Sequence, residues 1–225
     1  MHSHLIPGID DGSKDLEMSL RLITGLRDLG YRKLITTPHV NGDFYPNTAG
    51  TIRSGLAAVQ TALEDRQIDI GIDAAAEYLL DDKFSSILDS GEPLLTFNGN
   101  WVLVEFSFVV PAISAMDTLF NLQMKGYQPV LAHPERYLYF GAEKGWYDRL
   151  RNAGCLFQLN LLSLRGHYGK MAHQLAGYLI KKRYVDLLGT DLHHENHLQL
   201  LKTSSAISDT VSKLLDSGMI RNAEL

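Results

Sequence analysis

The feature that most constrains this chain is an alternation of short β-rich runs with amphipathic helical runs, sustained from one end of its 225 residues to the other. The pattern predicts parallel strands joined by helical crossovers, because a parallel pair cannot be closed by a tight turn. Leu16, Leu20, Ile23, Leu26 and Leu29 recur at helical spacing, and Gly30 follows as a stop. A strand is expected over Lys33 to Thr37, then a helix over Thr48 to Arg66 with Ile52, Leu56, Val59 and Leu63 on one face. A strand through Ile68 to Ala76 and a short helix from Asp82 to Leu88 come next. Trp101 to Glu105 is a near-continuous apolar run, as a parallel strand buried on both faces requires. The remaining expected strands are Gln128 to Ala132, Cys155 to Leu159 and Val185 to Leu188. The remaining helices are Ile113 to Met124, Lys144 to Asn152, Lys170 to Lys181 and Leu198 to Leu215. With a short first strand at His2 to His4 this makes seven βα units, and no linker or low-complexity tract divides them, so residues 1–225 read as one domain.

In barrels of parallel strands, chemistry sits at the C-terminal strand ends. Six of the seven ends here carry His, Asp or Glu: His2 and His4, His39, Glu77, Glu105, His133, and Asp191 with His193. Asp10 or Asp11 in the first loop adds a further carboxylate. Imidazoles and carboxylates without a thiolate suit several hard or borderline divalent ions (Mn²⁺, Fe²⁺, Zn²⁺ or Mg²⁺) better than one structural zinc. About nine donors are enough for three ions with bridging carboxylates. Residues i and i+2 of an extended strand face the same side, which makes His2 with His4, and Asp191 with His193, chelating pairs. Each element alone has a plain alternative, a surface histidine or a strand-end carboxylate. Their coincidence around one mouth decides, because such groups are costly to bury without a cation or hydrogen bonds. Asn160 and Ser163, at the sixth strand end, are candidate substrate contacts, while His167 and His173 are expected on loop or helix surfaces.

Composition narrows the function classes. Lys and Arg total 21 against 26 Asp and Glu, a net charge of −5 with no dense basic stretch, which argues against a nucleic-acid partner. Cys155 is the only cysteine, so no intramolecular disulfide can form, and a reducing cytoplasm is the expected location. It lies within an apolar strand, far from any phosphate-cradling loop, and reads as a core thiol rather than a nucleophile. No apolar stretch approaches the ~20 residues that span a bilayer, and no signal sequence is recognisable.

The segments His2-Ser3-His4 with Gly8-Ile9-Asp10-Asp11-Gly12, Thr37-Pro38-His39, Ala76-Glu77-Tyr78, Val104-Glu105-Phe106-Ser107, His133-Pro134-Glu135-Arg136 and Thr190-Asp191-Leu192-His193 together resemble one family over essentially the whole chain. It is the PHP-superfamily protein-tyrosine phosphatases of bacterial capsule and exopolysaccharide synthesis, the CpsB/YwqE group. The resemblance implies an α/β fold, a distorted (β/α)7 TIM-like barrel, with three divalent ions usually described as manganese. It implies hydrolysis of phosphotyrosine on the tail of a bacterial tyrosine kinase that acts as polysaccharide co-polymerase, by a hydroxide bridging two ions. By position, His2, His4, Glu77 and Asp191 are expected to hold one ion, with Glu77 shared. Glu105 and His133 contribute to a second, and Asp10 (or Asp11), His39 and His193 to a third. Arg136 matches an arginine that binds the substrate phosphate; a strand-end ion pair with Glu135 is its plain alternative. Two departures stand out. Only Met1 precedes His2, so the first strand is expected to be short or its start missing, and His194-Glu195-Asn196-His197 stands where the family tends to carry a second arginine. The alternatives in view are a histidinol-phosphate or other small-molecule phosphatase, and a non-catalytic metal-binding regulator.

Overall fold

The computed structural model describes residues 1–109 and 115–225, and these hold eight strands and eight α-helices. The helices begin where their caps allow. Asp15 accepts from the Met18 amide to start α1 (Leu16–Asp28), and Thr48 and Thr51 form a reciprocal capping box at the head of α2 (Ala49–Asp65). Asp81 caps α3 (Asp82–Ser90), which ends on Gly91 in the left-handed conformation. The other helices are α4 (Ala115–Met124), α5 (Gly145–Asn152), α6 (Lys170–Lys181), α7 (Glu195–Thr203) and α8 (Ser205–Asp216). The last two correct the single helix expected over Leu198 to Leu215: Ser204 adopts an extended backbone and breaks it, although the apolar periodicity runs on. Of the helix expected from Ile113, the first two residues lie outside the described residues.

Every strand pair among the described residues is parallel. β1 (Lys33–Thr36) pairs with β3 (Gly71–Ala74), and a six-stranded sheet runs β2 (His39–Val40), β4 (Glu77–Leu79), β5 (Trp101–Glu105), β6 (Gln128–Ala132), β7 (Leu156–Asn160), β8 (Leu187–Gly189). The strands expected over Lys33 to Thr37 and Ile68 to Ala76 are realised as β1 and β3, and each is followed, beyond the expected end, by a further short strand, β2 and β4. Pro38, which has no amide hydrogen for the ladder, separates β1 from β2. The pieces stay adjacent, since Ala75 N donates to Thr36 O and Glu77 N to Pro38 O.

The architecture is thus α/β with parallel sheets, and among the described residues the sheets do not close into a ring of strands. His2 to Leu5 form only an isolated parallel bridge, Ser3 to Leu192, instead of a full first strand. That segment is nonetheless bonded on both sides: His4 N donates to Leu192 O and Asp191 N to His2 O, while Thr37 N and the Thr36 hydroxyl donate to Ser3 O.

The side-chain alternation of the strands divides the apolar residues into two layers. Trp101, Leu103, Val130, Ala132 and Leu187 meet in a small inner cluster. Val102, Val104, Leu131, Phe157 and Leu159 pack outward with helical residues such as Ile23, Ile52, Leu119 and Leu179. All five residues of β5 are buried, as its unbroken apolar run requires. Cys155 is buried in the outer layer, and burial pushes its thiol up to about 12.

Candidate metal centre

At the ends of these strands His2, His4, Glu77 and Asp191 point their donor atoms at one spot. His2 Nε2 lies 3.2 Å from both Glu77 Oε2 and Asp191 Oδ1, His4 Nε2 lies 3.4 Å from the same two oxygens, and the two Nε2 atoms are 3.4 Å apart. Ligands about 2.1 Å from a shared cation are separated by roughly 3.0–3.4 Å in octahedral or tetrahedral geometry. These five separations match that spacing.

Glu77 also faces the other way. Its Oε1 lies 3.0 Å from His133 Nε2, and His39 Nδ1 lies 3.2 Å from Glu77 Oε2 and 3.0 Å from Glu105 Oε1. A third grouping combines His4, Asp11, His39 and His193, with Asp11 Oδ1 3.5 Å from both His39 Nε2 and His193 Nε2. The expected partition thus needs two changes. His39 faces Glu77 and Glu105 as well as the third grouping. Asp11, rather than Asp10, is the first-loop carboxylate turned to the cluster.

Asp10 is committed behind it. Its Oδ2 sits 2.8 Å from His4 Nδ1 and accepts from the His39 amide, while Oδ1 accepts from the Gly12 amide. Gly12 permits this fold-back, because a Cβ there would sit 2.3 Å from His4 O and 2.4 Å from His4 Cβ. The i, i+2 argument also needs amending. His2 (φ 63°) and Asp191 (φ 48°) are left-handed rather than extended, as is His133 (φ 34°). The pairs converge through a kink in the backbone, not along a straight strand.

Electrostatics match a site built for cations. Burial opposes charge on His2, yet the carboxylates of Glu77 and Asp191 overcome it and push the imidazole up to about 10. Burial would raise the Glu77 and Asp191 carboxyls; the surrounding imidazoles prevail and hold both well below the usual carboxylate range. Beside the Arg136 guanidinium paired with Asp191, protons on the histidines are what balance the three buried acids, Glu77, Glu105 and Asp191, when no metal cation is bound. His133 Nδ1 is buried with no hydrogen-bond partner among the described residues. A nitrogen and oxygen donor set with this spacing and this excess of acid fits divalent metal ions.

A cavity of about 250 Å³ opens over the cluster, and its lining includes Asp11, Glu105 and Asp191 together with Phe108, Arg136, Tyr168, His194 and His197. Arg136 Nη1 donates to Asp191 Oδ2 at 2.6 Å, and its guanidinium lies 4.1 Å from the Tyr168 ring centroid and 4.6 Å from that of Phe108. Its ion pair is therefore with Asp191 and not with Glu135. Glu135 is buried, accepts from the Asn160 amide and the Ser163 hydroxyl, and is raised by that burial to about 7.

Asn160 and Ser163, the candidate substrate contacts, are not among the residues that line the cavity. The Asn160 side chain donates to Asp191 Oδ2 and to the Tyr168 hydroxyl and accepts from the Leu162 amide, so each of its polar atoms is spent holding neighbours. Sequence reasoning missed Phe108 and Tyr168, which flank the arginine, and Gln158, which is buried against His2. Gln158 was findable: it precedes Asn160 by two on β7, so its side chain leaves the strand on the same face. His167 and His173 are exposed, as expected.

Several known proteins are similar to this chain. The tyrosine-protein phosphatase YwqE of Bacillus subtilis is 26% identical over 194 residues, covering 86% of this chain and 76% of that protein. The tyrosine-protein phosphatase CpsB of Streptococcus agalactiae is 28% identical over 200 residues, covering 86% and 82%. One chain from the crystal structures of YwqE from Bacillus subtilis and CpsB from Streptococcus pneumoniae, described as unique metal-dependent tyrosine phosphatases, matches with a TM-score of 0.79 at 27% identity, over 92% of this chain and 88% of that one. The lactonase Lmo2620 of Listeria monocytogenes shares the fold alone, with a TM-score of 0.56 at 11% identity over 97% and 87%. The family model for capsular polysaccharide synthesis proteins of the CpsB/CapC type spans residues 1–220, a stretch that includes every donor named above, and the chain belongs to that family.

Proposed function

We propose that this chain is a metal-dependent protein-tyrosine phosphatase of capsule or exopolysaccharide synthesis. The observation that carries the reading is the juxtaposition of cation-spaced donors with Arg136, both opening on one cavity. His2, His4, Glu77 and Asp191 hold one divalent ion, and Glu77 extends to a second with His133, Glu105 and His39. Asp11 and His193, with His39 and His4 at hand, hold a third. Manganese is the proposed metal. When bound, the ions supply positive charge to the phosphoryl oxygens and activate water for in-line attack.

The chain's own groups do the rest. Asp191 divides its oxygens, Oδ1 toward the ion cluster and Oδ2 toward Arg136 and Asn160, so one carboxylate fixes the arginine relative to the metals. Arg136 keeps further donors for phosphate oxygens, and its fork remains charged at any working pH. Phe108 and Tyr168 hold its plane and form the apolar wall against which a phenyl ring can lie. The phosphotyrosine tail of a bacterial tyrosine kinase that acts as polysaccharide co-polymerase is the proposed substrate, and the cytoplasm the proposed location of this chain. No helix among the described residues is long and apolar enough to cross a membrane. The bonds on both sides of Ser3 also support reading the two sheets as a broken, distorted (β/α)7 barrel.

A substrate panel tests the proposal. Manganese-loaded protein is expected to turn over a phosphotyrosyl peptide well ahead of a phosphoseryl peptide and histidinol phosphate. Equal or faster turnover of histidinol phosphate would overturn the tyrosine assignment, and no turnover of any substrate by fully metallated protein would leave a regulator.

A further inference from the structure

Beneath the first ion position lies a buried amide that the proposed chemistry does not use. Gln158, on β7, is fully buried; its Oε1 meets His2 Nδ1 at hydrogen-bonding distance, and its Nε2 has no partner among the described residues. Room for it exists because residue 189, on the adjoining β8, is glycine: a Cβ there would sit 2.2 Å from Gln158 Nε2, 2.5 Å from Gln158 Cδ and 3.0 Å from His2 Cβ. All three residues come from different segments and meet only in the fold.

An imidazole that binds a cation through Nε2 must carry its proton on Nδ1. An acceptor at Nδ1 enforces that tautomer and fixes the ring plane. The inverted amide would donate to Nδ1, drive the proton to Nε2 and close the position to a cation. His4 shows the same logic with a different partner, Asp10 at its Nδ1. His2 receives a neutral acceptor instead, which orients the ring without adding another carboxylate to a site that already holds several. We infer that Gln158, in the space left by Gly189, is a positioning residue that sets the tautomer of His2 and so the affinity of the first ion; the inference rests on His2 being a metal ligand, as proposed above.

The test is metal titration of the full chain by calorimetry with Mn²⁺ and with Zn²⁺, the Zn²⁺-loaded form also being examined by nitrogen-15 NMR for the His2 Nδ1–H. Gln158→Leu is expected to weaken the tightest site about 10- to 100-fold, the usual effect of removing a ligand's orienting partner, and to lose the slowly exchanging Nδ1–H. Gly189→Ala, which displaces the amide without touching either partner chemically, should reproduce the loss. Gln158→Glu, which retains an acceptor, should restore affinity, and circular dichroism with thermal melts of the metal-free variants separates loss of folding from loss of orientation. Wild-type affinity in Gln158→Leu, or a His2 bound through Nδ1, would refute the inference while leaving the phosphatase reading intact. A wild-type chain that binds no metal would remove both.

Discussion

Replacing Arg136 by alanine separates the two things its guanidinium does. One nitrogen is committed to Asp191 Oδ2 at 2.6 Å, the guanidinium lies 4.6 Å from the Phe108 and 4.1 Å from the Tyr168 ring centroid, and the residue lines the cavity over the metal cluster. A charged donor aimed at developing phosphoryl charge in such a site is worth about 3–4 kcal/mol, a fall of about 10²–10³ in kcat/KM. Asp191 meanwhile keeps the Asn160 amide on Oδ2 and its Oδ1 toward His2 and His4, so the ion count should hold. Arg136→Lys retains charge but loses the fork and the flat stacking surface, and an intermediate loss is expected. The assay is steady-state hydrolysis of a phosphotyrosyl peptide, with metal analysis of the same preparations. Activity within about threefold of wild type would take Arg136 out of the phosphate site, being far short of the loss expected of such a donor. Metal lost in parallel with activity would show that it acts only by holding Asp191.

The adjacent acids of the first loop should behave differently: Asp11→Asn should remove an ion outright, whereas Asp10→Asn should keep the ion count and weaken affinity about 10- to 100-fold through His4; the opposite assignment in metal analysis would reverse their roles. Cys155→Ser should leave kcat/KM within about twofold, since a thiol pushed up to about 12 is not a thiolate at neutral pH; a collapse of activity in folded protein would reject metal-centred hydrolysis. Metal binding must displace protons from the histidines. Because His2 in the metal-free protein is raised to about 10, apparent affinity should climb about tenfold per pH unit between pH 7 and 9 for that proton alone. The metal-free fold shifts the other way: the contribution of His2 is fully present below its unfolded value near 6.5 and is lost as pH rises toward 10. Affinity flat with pH across that window would contradict the charge balance.

The ligand types were legible because strand ends are easy to find and because imidazoles and acids gathered at so many of them can hardly be buried together without cations. What escaped was everything set by a loop or by space. Whether Asp10 or Asp11 turns inward depends on the chain folding over His4 at Gly12, which no local pattern announces. Asn160 looked available because it ends a strand, yet Asp191, Tyr168 and Leu162 consume its polar atoms. The break at Ser204 hid behind an apolar stripe that continues across both helices. Gln158 was passed over for being neither acidic nor basic, although the register of β7 pointed to it.

The positive φ angles at His2, His133 and Asp191 set a conflict between scaffold and chemistry. Each of these backbones favours a residue without a Cβ, and each position needs a donor atom that only a side chain can carry. The mismatch costs the fold about 1–2 kcal/mol per site. A chain relieved of its metals at one of these points, by His133→Gly, should therefore melt at a higher temperature than the same chain carrying His133→Ala, an ordering opposite to the one found in ordinary strands.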